Sequence, residues 1–254
     1  MPNKANLYLM TQKGFSVLEA LIYNGLHKYI NQVIVGEDKH IDKDFSEEII
    51  DLCKKNKIAH VLKNATLPAA YSFAVSWRWI IDCDGELIVL HDSLLPKYRG
   101  FAPLVNQLIN GEREIGVSAI FAEKEYDKGR IIAQEKLQIV YPVKIGEVIE
   151  KMAVLYAKLV LSLMNRIFLQ NENLEGKIQD ESQSSYSLWR DAEDYKIDWK
   201  RSADYIKRFI DAVGSPYKGA MSLMEGRPIR IFSASEREDV NIENRHPGKI
   251  IFME

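Results

Sequence analysis

Short apolar runs, spaced along residues 6–90, constrain the fold of this chain more than any other feature. They are continuous rather than alternating, which is typical of parallel strands that are covered on both faces. Five such runs occur: NLYLM (6–10), QVIVG (32–36), HVLK (60–63), SFAVSW (72–77) and ELIVL (86–90). Because helical patterns separate the first three runs, we predict an open, doubly wound, Rossmann-like α/β sheet that is mostly parallel.

Helical segments with recognisable ends alternate with these strands. The first spans 15–25 and stops at Gly25, and the second spans 44–58, where Asp44 and Glu47 have the spacing of a capping box. Downstream, the pattern predicts a helix at 102–110, strands at 116–122 and 130–139, and a long helix at about 145–169. We assign residues 1–180 to this first domain.

The last quarter of the sequence has a different pattern. The polar stretch 170–187 predicts a linker or a surface loop. Beyond it, 202–213 is helical and 220–234 is typical of a hairpin with Glu225 and Gly226 at its turn. GKIIFME (248–254) predicts one more strand. These segments indicate a small helix-plus-hairpin subdomain at 186–254.

Composition limits the class of protein. The chain has 254 residues, 46% of them hydrophobic, a net charge of -2 and a pI of about 6.3, so a protein built mainly to grip nucleic acid is not expected. Cys53 and Cys83 form no C-x-x-C pair, and neither a signal peptide nor a membrane-length apolar run is present. We therefore expect a cytoplasmic protein without a membrane partner.

Three loops at the carboxyl ends of the predicted strands are the places to look for ligands. The first, TQKGFS (11–16), lacks the glycine pattern of a dinucleotide or ATP phosphate loop, although Lys13 could meet a substrate phosphate or be an ordinary solvated lysine. Ligand spacing for a metal is also lacking, because the other histidines are isolated: His27, His40, His60 and His246. No metal site is predicted.

The second and third loops carry the candidate chemistry. HDSLLPKYRG (91–100) begins with His91, which by composition alone is either catalytic or structural. Ser93 does not lie in a G-x-S-x-G elbow, so serine-nucleophile chemistry is disfavoured. In EYDKGR (125–130), Asp127 precedes Gly129 in a turn pattern, and its role depends on what it faces.

The stretch HDSLLPKYRGFAPLVNQLINGEREIGVSAIFAEKEYDKGRII (91–132) resembles the folate-dependent formyltransferases. The matching positions are spaced along it: His91, Ser93, Leu94, Leu95, Pro96, Arg99, Gly100, Pro103, Gly111, Gly116, Asp127 and Gly129. EDYKIDWKRSADYIKRFIDAVGSPYKGA (193–220) is similar to the start of the C-terminal domain of that family.

This resemblance implies that 10-formyltetrahydrofolate is the formyl donor, as a co-substrate and without a metal, and that an amine is the acceptor. His91 would donate to the oxyanion that forms when the amine attacks. Asp127 would favour the protonated imidazole and help to relay the proton that leaves the amine. Gly100 would allow a close approach of the backbone.

One position departs from the family pattern. An asparagine precedes the histidine by two residues in the family, and Val89 stands there in this chain. Valine cannot donate a hydrogen bond to an oxyanion. Asn106, on the helix after the motif, is the candidate side chain to replace that donor, and a backbone N–H or a bound water are the alternatives. The remaining alternative is a non-catalytic binder of folate or sugar nucleotide.

The resemblance also implies binding residues. The folate would lie near SWRWII (76–81), where Trp77 could pack on its ring and Arg78 lies alongside, and near Leu90 and the loop of Tyr126 and Asp127. Substrate contacts are expected from four residues of the strand-end loops: Lys13, Ser93, Lys97 and Arg99. The isolated positive charges of Lys13, Lys97 and Arg99 suit one pyrophosphate rather than a long phosphate backbone.

Among the branches of the family, the sugar-nucleotide N-formyltransferases fit best. The acceptor would be a 4-amino-4,6-dideoxy sugar linked to UDP or dTDP, used in surface polysaccharide biosynthesis, and HDSLLPKYRGF is most similar to enzymes of the pseudaminic-acid-related branch. The C-terminal region is too short for the barrel of methionyl-tRNA formyltransferases, and glycinamide ribonucleotide formyltransferases lack it. An aminoacyl group on tRNA or on a carrier is the alternative acceptor. By resemblance, a homodimer is expected.

Overall fold

A computed structural model describes residues 4–39, 41, 43–62 and 67–251 of the chain. The strands are β1 (Ala5–Leu9), β2 (Ile30–Val35), β3 (His60–Leu62), β4 (Tyr71–Val75), β5 (Glu86–His91), β6 (Arg99–Gly100), β7 (Glu114–Phe121), β8 (Ile131–Gln138), β9 (Tyr186–Ser187), β10 (Ala220–Met224) and β11 (Arg227–Ile231). The helices are α1 (Thr11–Tyr23), α2 (Ser46–Lys55), α3 (Pro103–Asn110), α4 (Ile145–Phe168) and α5 (Ala203–Ala212).

A seven-stranded sheet with the order β3-β2-β1-β4-β5-β7-β8 forms the centre. Strands β1 to β5 are parallel, β7 pairs antiparallel with β5, and the edge strand β8 pairs antiparallel with β7. The mostly parallel α/β fold that the apolar runs predict is confirmed. The order of strands reverses between β1 and β4, so the loops that leave these two strands flank a crevice where such sheets usually bind ligands.

The first helix begins earlier than predicted. Residues 11–16 are not a loop but the first turns of α1, where Gly14 N–H donates to the Met10 carbonyl at 3.0 Å. A Cβ on Gly14 would lie 3.0 Å from Leu9 Cβ, so the glycine permits this close turn from strand to helix. At the other end, Gly25 has φ +69° and confirms the predicted stop.

Residues 177–187, which we call the strap, lie mostly at the surface as predicted, but they pair with the main sheet and with the loop that follows β5. Lys177 pairs with Ile131 at the start of β8, and β9 pairs in parallel with β6. Ser185 and Ser187 accept backbone hydrogen bonds from Arg99 and Phe101 at 2.9 and 3.0 Å. The strap is therefore packed against the HDSLLPKYRG loop.

The C-terminal region contains the predicted helix and hairpin. α5 packs against α3, and β10 and β11 meet at Glu225 and Gly226. The predicted final strand is wrong for 248–251, which form none, and residues 252–254 lie outside the described residues, as do His40 and Lys63. Within the described ranges, none of the helices has the length and apolar character needed to cross a membrane.

Candidate active site

His91, the last residue of β5, is buried with both ring nitrogens facing acceptors. Nε2 lies 2.8 Å from the Tyr98 carbonyl oxygen, and Nδ1 lies 3.4 Å from Oδ1 of Asp127. A carbonyl oxygen only accepts, so Nε2 carries a proton. A ring protonated on both nitrogens is the form that donates to both neighbours.

Asp127 is held in an unusual backbone conformation in the loop between β7 and β8. Its φ of +57° lies in the left-handed region, and its second carboxylate oxygen, Oδ2, accepts from Gly100 N–H at 2.8 Å. A Cβ on Gly129 would lie 1.7 Å from the Phe121 carbonyl oxygen, so a side chain does not fit there. The Asp-x-Gly pattern therefore directs one carboxylate oxygen at His91 and the other at Gly100.

Ser93 is a structural residue of the loop and not an accessible substrate contact. It is fully buried, and its Oγ donates to the Lys97 carbonyl at 2.6 Å. Ser118 Oγ donates to the Ser93 carbonyl at 2.6 Å and accepts from Leu95 N–H at 3.0 Å. These bonds fix the turn after His91, and they correct the expectation that Ser93 touches substrate.

Arg99 is also committed to the protein. It is 0% exposed, and its guanidinium donates to Gln179 and to both carboxylate oxygens of Glu181, at 2.9 and 2.7 Å. The same hydrogen bonds keep the pKa of Glu181 below its ordinary value. The expectation that Arg99 meets a pyrophosphate is wrong, because no part of its fork reaches the surface.

Lys13 is buried in α1, where Nζ pairs with Asp92 Oδ2 at 2.5 Å and lies 5.2 Å from the ring centre of Tyr156. Asp92 Oδ1 is buried without a hydrogen-bond partner among the described residues. This pairing corrects the prediction that Lys13 is free to meet a phosphate. Lys97 is exposed on the loop, and its predicted contact with substrate stays a prediction.

The residues predicted to bind folate lie at three places: Trp77 and Arg78 follow β4, Leu90 lies in β5, and Tyr126 precedes Asp127. Trp77 packs edge-to-face against Tyr8 and Trp79, with ring centres 5.1 and 5.0 Å apart, and its Nε1 is buried without a partner among the described residues. Arg78 pairs with the buried Asp38. Leu90 is buried in β5 and Tyr126 is exposed. Their contacts with folate stay predictions.

The structure does not bring Asn106 to the catalytic pair. Its Nδ2 donates to the Ala102 carbonyl at 3.0 Å, and its Oδ1 accepts from Arg190 at 3.0 Å. Both polar atoms are thus used elsewhere, which argues against the predicted oxyanion donor. Val89 lies two residues before His91 in β5, so the two side chains share one face of the sheet.

Sequence reasoning missed a cleft of about 280 Å³ beside the loop. Tyr98, Asn106, Tyr186, Trp189 and Arg190 are among its lining residues. Trp189 is 61% exposed and packs edge-to-face on Phe101, and Arg190 Nε is buried without a partner among the described residues. The signal in the sequence is the apolar pair Leu188–Trp189 in an otherwise polar segment.

Among residues 4–39, 41, 43–62 and 67–251, no three His, Cys, Asp or Glu side chains are grouped so that they could hold a metal ion. The site is defined by an imidazole, a carboxylate and the backbone of two loops.

Solved structures of N-formyltransferases have a similar fold. The N-formyltransferase of Helicobacter canadensis, in complex with folinic acid and dTDP-3-aminofucose, has a TM-score of 0.66 at 22% identity, covering 82% of this chain and 80% of that one. WlaRD, a sugar 3N-formyl transferase in the presence of dTDP and 5-N-formyl-THF, has a TM-score of 0.69 at 22% identity, covering 94% and 89%. These similarities show a shared fold.

Two family models match the chain along most of its length. Residues 42–162 match formyl transferase, and residues 190–253 match the formyl transferase C-terminal domain. The chain belongs to the formyl transferase family.

Curated relatives carry the name methionyl-tRNA formyltransferase. That of Syntrophomonas wolfei subsp. wolfei is 35% identical over 152 residues, which are 60% of this chain and 48% of that protein. That of Carboxydothermus hydrogenoformans is 34% identical over 165 residues, which are 65% and 52%. The chain spans about half the length of these relatives.

Proposed function

We propose that this protein transfers a formyl group from 10-formyltetrahydrofolate to an amine. The observation that carries the proposal is the pairing of His91 with Asp127 at 3.4 Å, at the carboxyl end of β5 in a formyl transferase family chain. Such a pair supplies what formyl transfer needs: a donor for the charge that develops on the formyl oxygen, and a base for the proton that leaves the amine.

The two contacts of His91 indicate which ring nitrogen is available to the substrate. Nε2 lies 2.8 Å from the Tyr98 carbonyl oxygen, whereas the contact between Nδ1 and the Asp127 carboxylate is longer, at 3.4 Å. Catalytic hydrogen bonds are often long before substrate binds. Nδ1–H therefore donates to the formyl oxygen, and Asp127 accepts the proton that the amine loses as its nitrogen bonds to the formyl carbon. The bond from that carbon to folate breaks, and the folate nitrogen takes up the proton that Asp127 accepted from the amine.

We place the folate donor at the crevice between β1 and β4. The donor supplies an activated formyl group on a flat, polar ring system. Trp77 follows β4, and its buried Nε1–H has no partner among the described residues, which suits an acceptor atom of a heterocycle. A solved relative of the same fold, HypX from Aquifex aeolicus, is a complex with tetrahydrofolic acid (TM-score 0.64, 16% identity, covering 97% of this chain and 40% of that one).

For the acceptor, we favour a nucleotide-linked 3- or 4-amino-dideoxy sugar. Two of the solved sugar-related neighbours are named with dTDP or dTDP-3-aminofucose. The cleft beside Tyr98 offers the exposed Trp189 ring, which suits stacking of a nucleotide base. Methionyl-tRNA is the second candidate, because the relatives at 34–35% identity bear that name.

The test is a side-by-side assay. Purified protein receives 10-formyltetrahydrofolate with one of four acceptors: a dTDP-linked amino sugar, its UDP counterpart, methionyl-tRNA or an aminoacyl carrier. Release of tetrahydrofolate and formylation of the acceptor are both measured, with Asp127→Asn as the inactive control. A preference for methionyl-tRNA would replace the sugar proposal, and folate binding without transfer to any acceptor would favour the binding-only alternative.

A further inference from the structure

We propose that Gln179 is a positioning residue that holds Asp127 against His91. This inference rests on the proposed function, since it explains how the catalytic carboxylate keeps its place. Gln179 lies in the strap, fifty-two positions from Asp127, and touches none of the groups that would react. Its effect on catalysis would pass through the backbone of the Asp127 loop.

The carboxamide of Gln179 is 6% exposed, and each of its polar atoms is bonded. Nε2 donates to the carbonyl oxygens of Asp127 and Gly129, at 2.7 and 2.8 Å. Oε1 accepts from Nε and Nη2 of Arg99, at 3.1 and 2.8 Å. One side chain thus clamps both ends of the Asp127–Gly129 turn and ties the turn to residues 91–100, which we call the catalytic loop.

Only a side chain that donates at one atom and accepts at the other suits this position. The Arg99 guanidinium can only donate, and the two carbonyl oxygens can only accept. A glutamate at position 179 would keep the bonds from Arg99 and bring a carboxylate oxygen against the two carbonyl oxygens. The neighbours therefore specify an amide, in one orientation.

The Asp127 turn needs an external clamp because its conformation is unfavourable in isolation. A non-glycine residue at φ +57° is strained, and the turn is packed so tightly that Gly129 has no room for a side chain. The two bonds from Gln179 offset that strain. They leave the carboxylate free to bond with Gly100 N–H through Oδ2 and to face His91 through Oδ1.

Arg99 is itself held in place from the strap. Glu181 accepts from Nη1 and Nη2, and the Tyr186 hydroxyl lies 3.3 Å from Nη1. The pairing of β6 with β9 fixes the backbone of Arg99 in the same interface. The chain of contacts runs from Glu181 through Arg99 and Gln179 to Asp127, and ends at His91.

Three variants distinguish a role of Gln179 in positioning Asp127 from a role in the stability of the fold. Gln179→Glu keeps the acceptor for Arg99 and removes the donor to the Asp127 turn, whereas Gln179→Met removes both. Gln183→Glu is the matched control, because it adds the same charge to the same segment at an exposed glutamine that bonds Asp180. We expect Gln179→Glu to lower kcat roughly 10- to 100-fold, as a small displacement of a catalytic group does, with each KM changed less than about threefold.

Amide hydrogen exchange gives a readout that does not depend on activity. Gly100 N–H donates to the Asp127 carboxylate, and Phe101 N–H donates to the strap at Ser187. If Gln179 positions Asp127, exchange at Gly100 accelerates in Gln179→Glu while Phe101 stays protected. The pH profile of kcat should also change shape in this variant, and Gln183→Glu should match the wild type in every readout.

The exchange rates and kcat together distinguish a positioning role of Gln179 from a purely structural one. Faster exchange at Gly100 but not at Phe101 supports the proposal. This result would stand even if the wild type transferred formyl to no acceptor in the panel, and in that case only the proposed function would be refuted. Unchanged exchange and unchanged kcat overturn it. Loss of protection at both amides, or failure of both Gln179→Glu and Gln179→Met to fold, would show that Gln179 only anchors the strap and would also overturn it.

Discussion

The carboxylate of Asp127 is shared between two partners: Oδ1 lies 3.4 Å from His91 Nδ1, and Oδ2 accepts from Gly100 N–H at 2.8 Å. The bond to Gly100 orients the carboxylate, while the looser contact leaves His91 able to turn its Nδ1–H to a substrate. Gly100 is also a point of close approach, since at φ +96° a Cβ there would lie 2.6 Å from the Ser187 carbonyl oxygen. Its predicted role in close backbone packing is confirmed.

His91→Asn and Asp127→Asn should each lower kcat by about 100-fold or more, which is the range for loss of a general acid or base. Both side chains are mostly buried, so thermal unfolding must be measured beside activity. Asp127→Asn keeps the size of the side chain and an acceptor for Gly100. Near wild-type turnover in either folded variant would refute the assigned roles.

Val89→Asn tests the departure from the family pattern. Val89 shares a face with His91 and pairs with Ala74 and Ile120 across the sheet. We expect a small loss of stability, on the order of 1 kcal/mol, because asparagine is a poor strand residue. We expect an unchanged or higher kcat, because an amide would restore an oxyanion donor. A large drop in kcat with normal folding would mean that the site is built around an apolar residue.

Trp189→Ala should raise the KM for the nucleotide-linked acceptor several-fold, since stacking of a base on an aromatic side chain contributes about 1–3 kcal/mol. The KM for the folate donor should not change, because the cleft lies on the strap side of the catalytic loop. Tyr23→Ala, at an exposed aromatic residue at the end of α1, is the control. Equal effects on both substrates would argue against the cleft as the acceptor site.

Glu181→Gln should reveal a pH-dependent contribution to stability. The hydrogen bonds from Arg99 hold the pKa of Glu181 below its ordinary value of 4.5. A lowered pKa in the folded state stabilises the protein above the ordinary value, and this contribution is lost as the pH falls through the folded value. The difference in Tm between wild type and variant should therefore be constant near neutral pH and disappear in acid. A difference that grows in acid would contradict this linkage.

The sheet could be predicted because local sequence determines it. Continuous apolar runs form buried parallel strands wherever they are covered, and β1 to β5 follow the predicted runs closely. The His91–Asp127 pair was also within reach, because the spaced motif of the family carries both residues. The predicted hairpin was readable from Glu225–Gly226 for the same local reason.

The roles of the charged residues could not be predicted, because their partners are remote in sequence. Lys13 pairs with Asp92 across 79 positions, and Arg99 bonds Gln179 across 80. Both cations resemble free phosphate ligands until the fold supplies an internal acceptor. The strap was missed for a related reason: a polar segment that bonds to buried loops has the same composition as one that bonds to water.

The position of the strap has a consequence for recombining members of this family. Residues 177–187 fall between the two matched stretches, 42–162 and 190–253, and so they look like a neutral junction for building hybrids. Their contacts with Arg99 and with the Asp127 turn tie them to the N-terminal half. In a hybrid with its crossover after Ser187, the strap and the catalytic loop come from the same protein and keep their contacts. In a hybrid with its crossover just after α4, the strap comes from the other protein and must pack against a catalytic loop with which it did not fold.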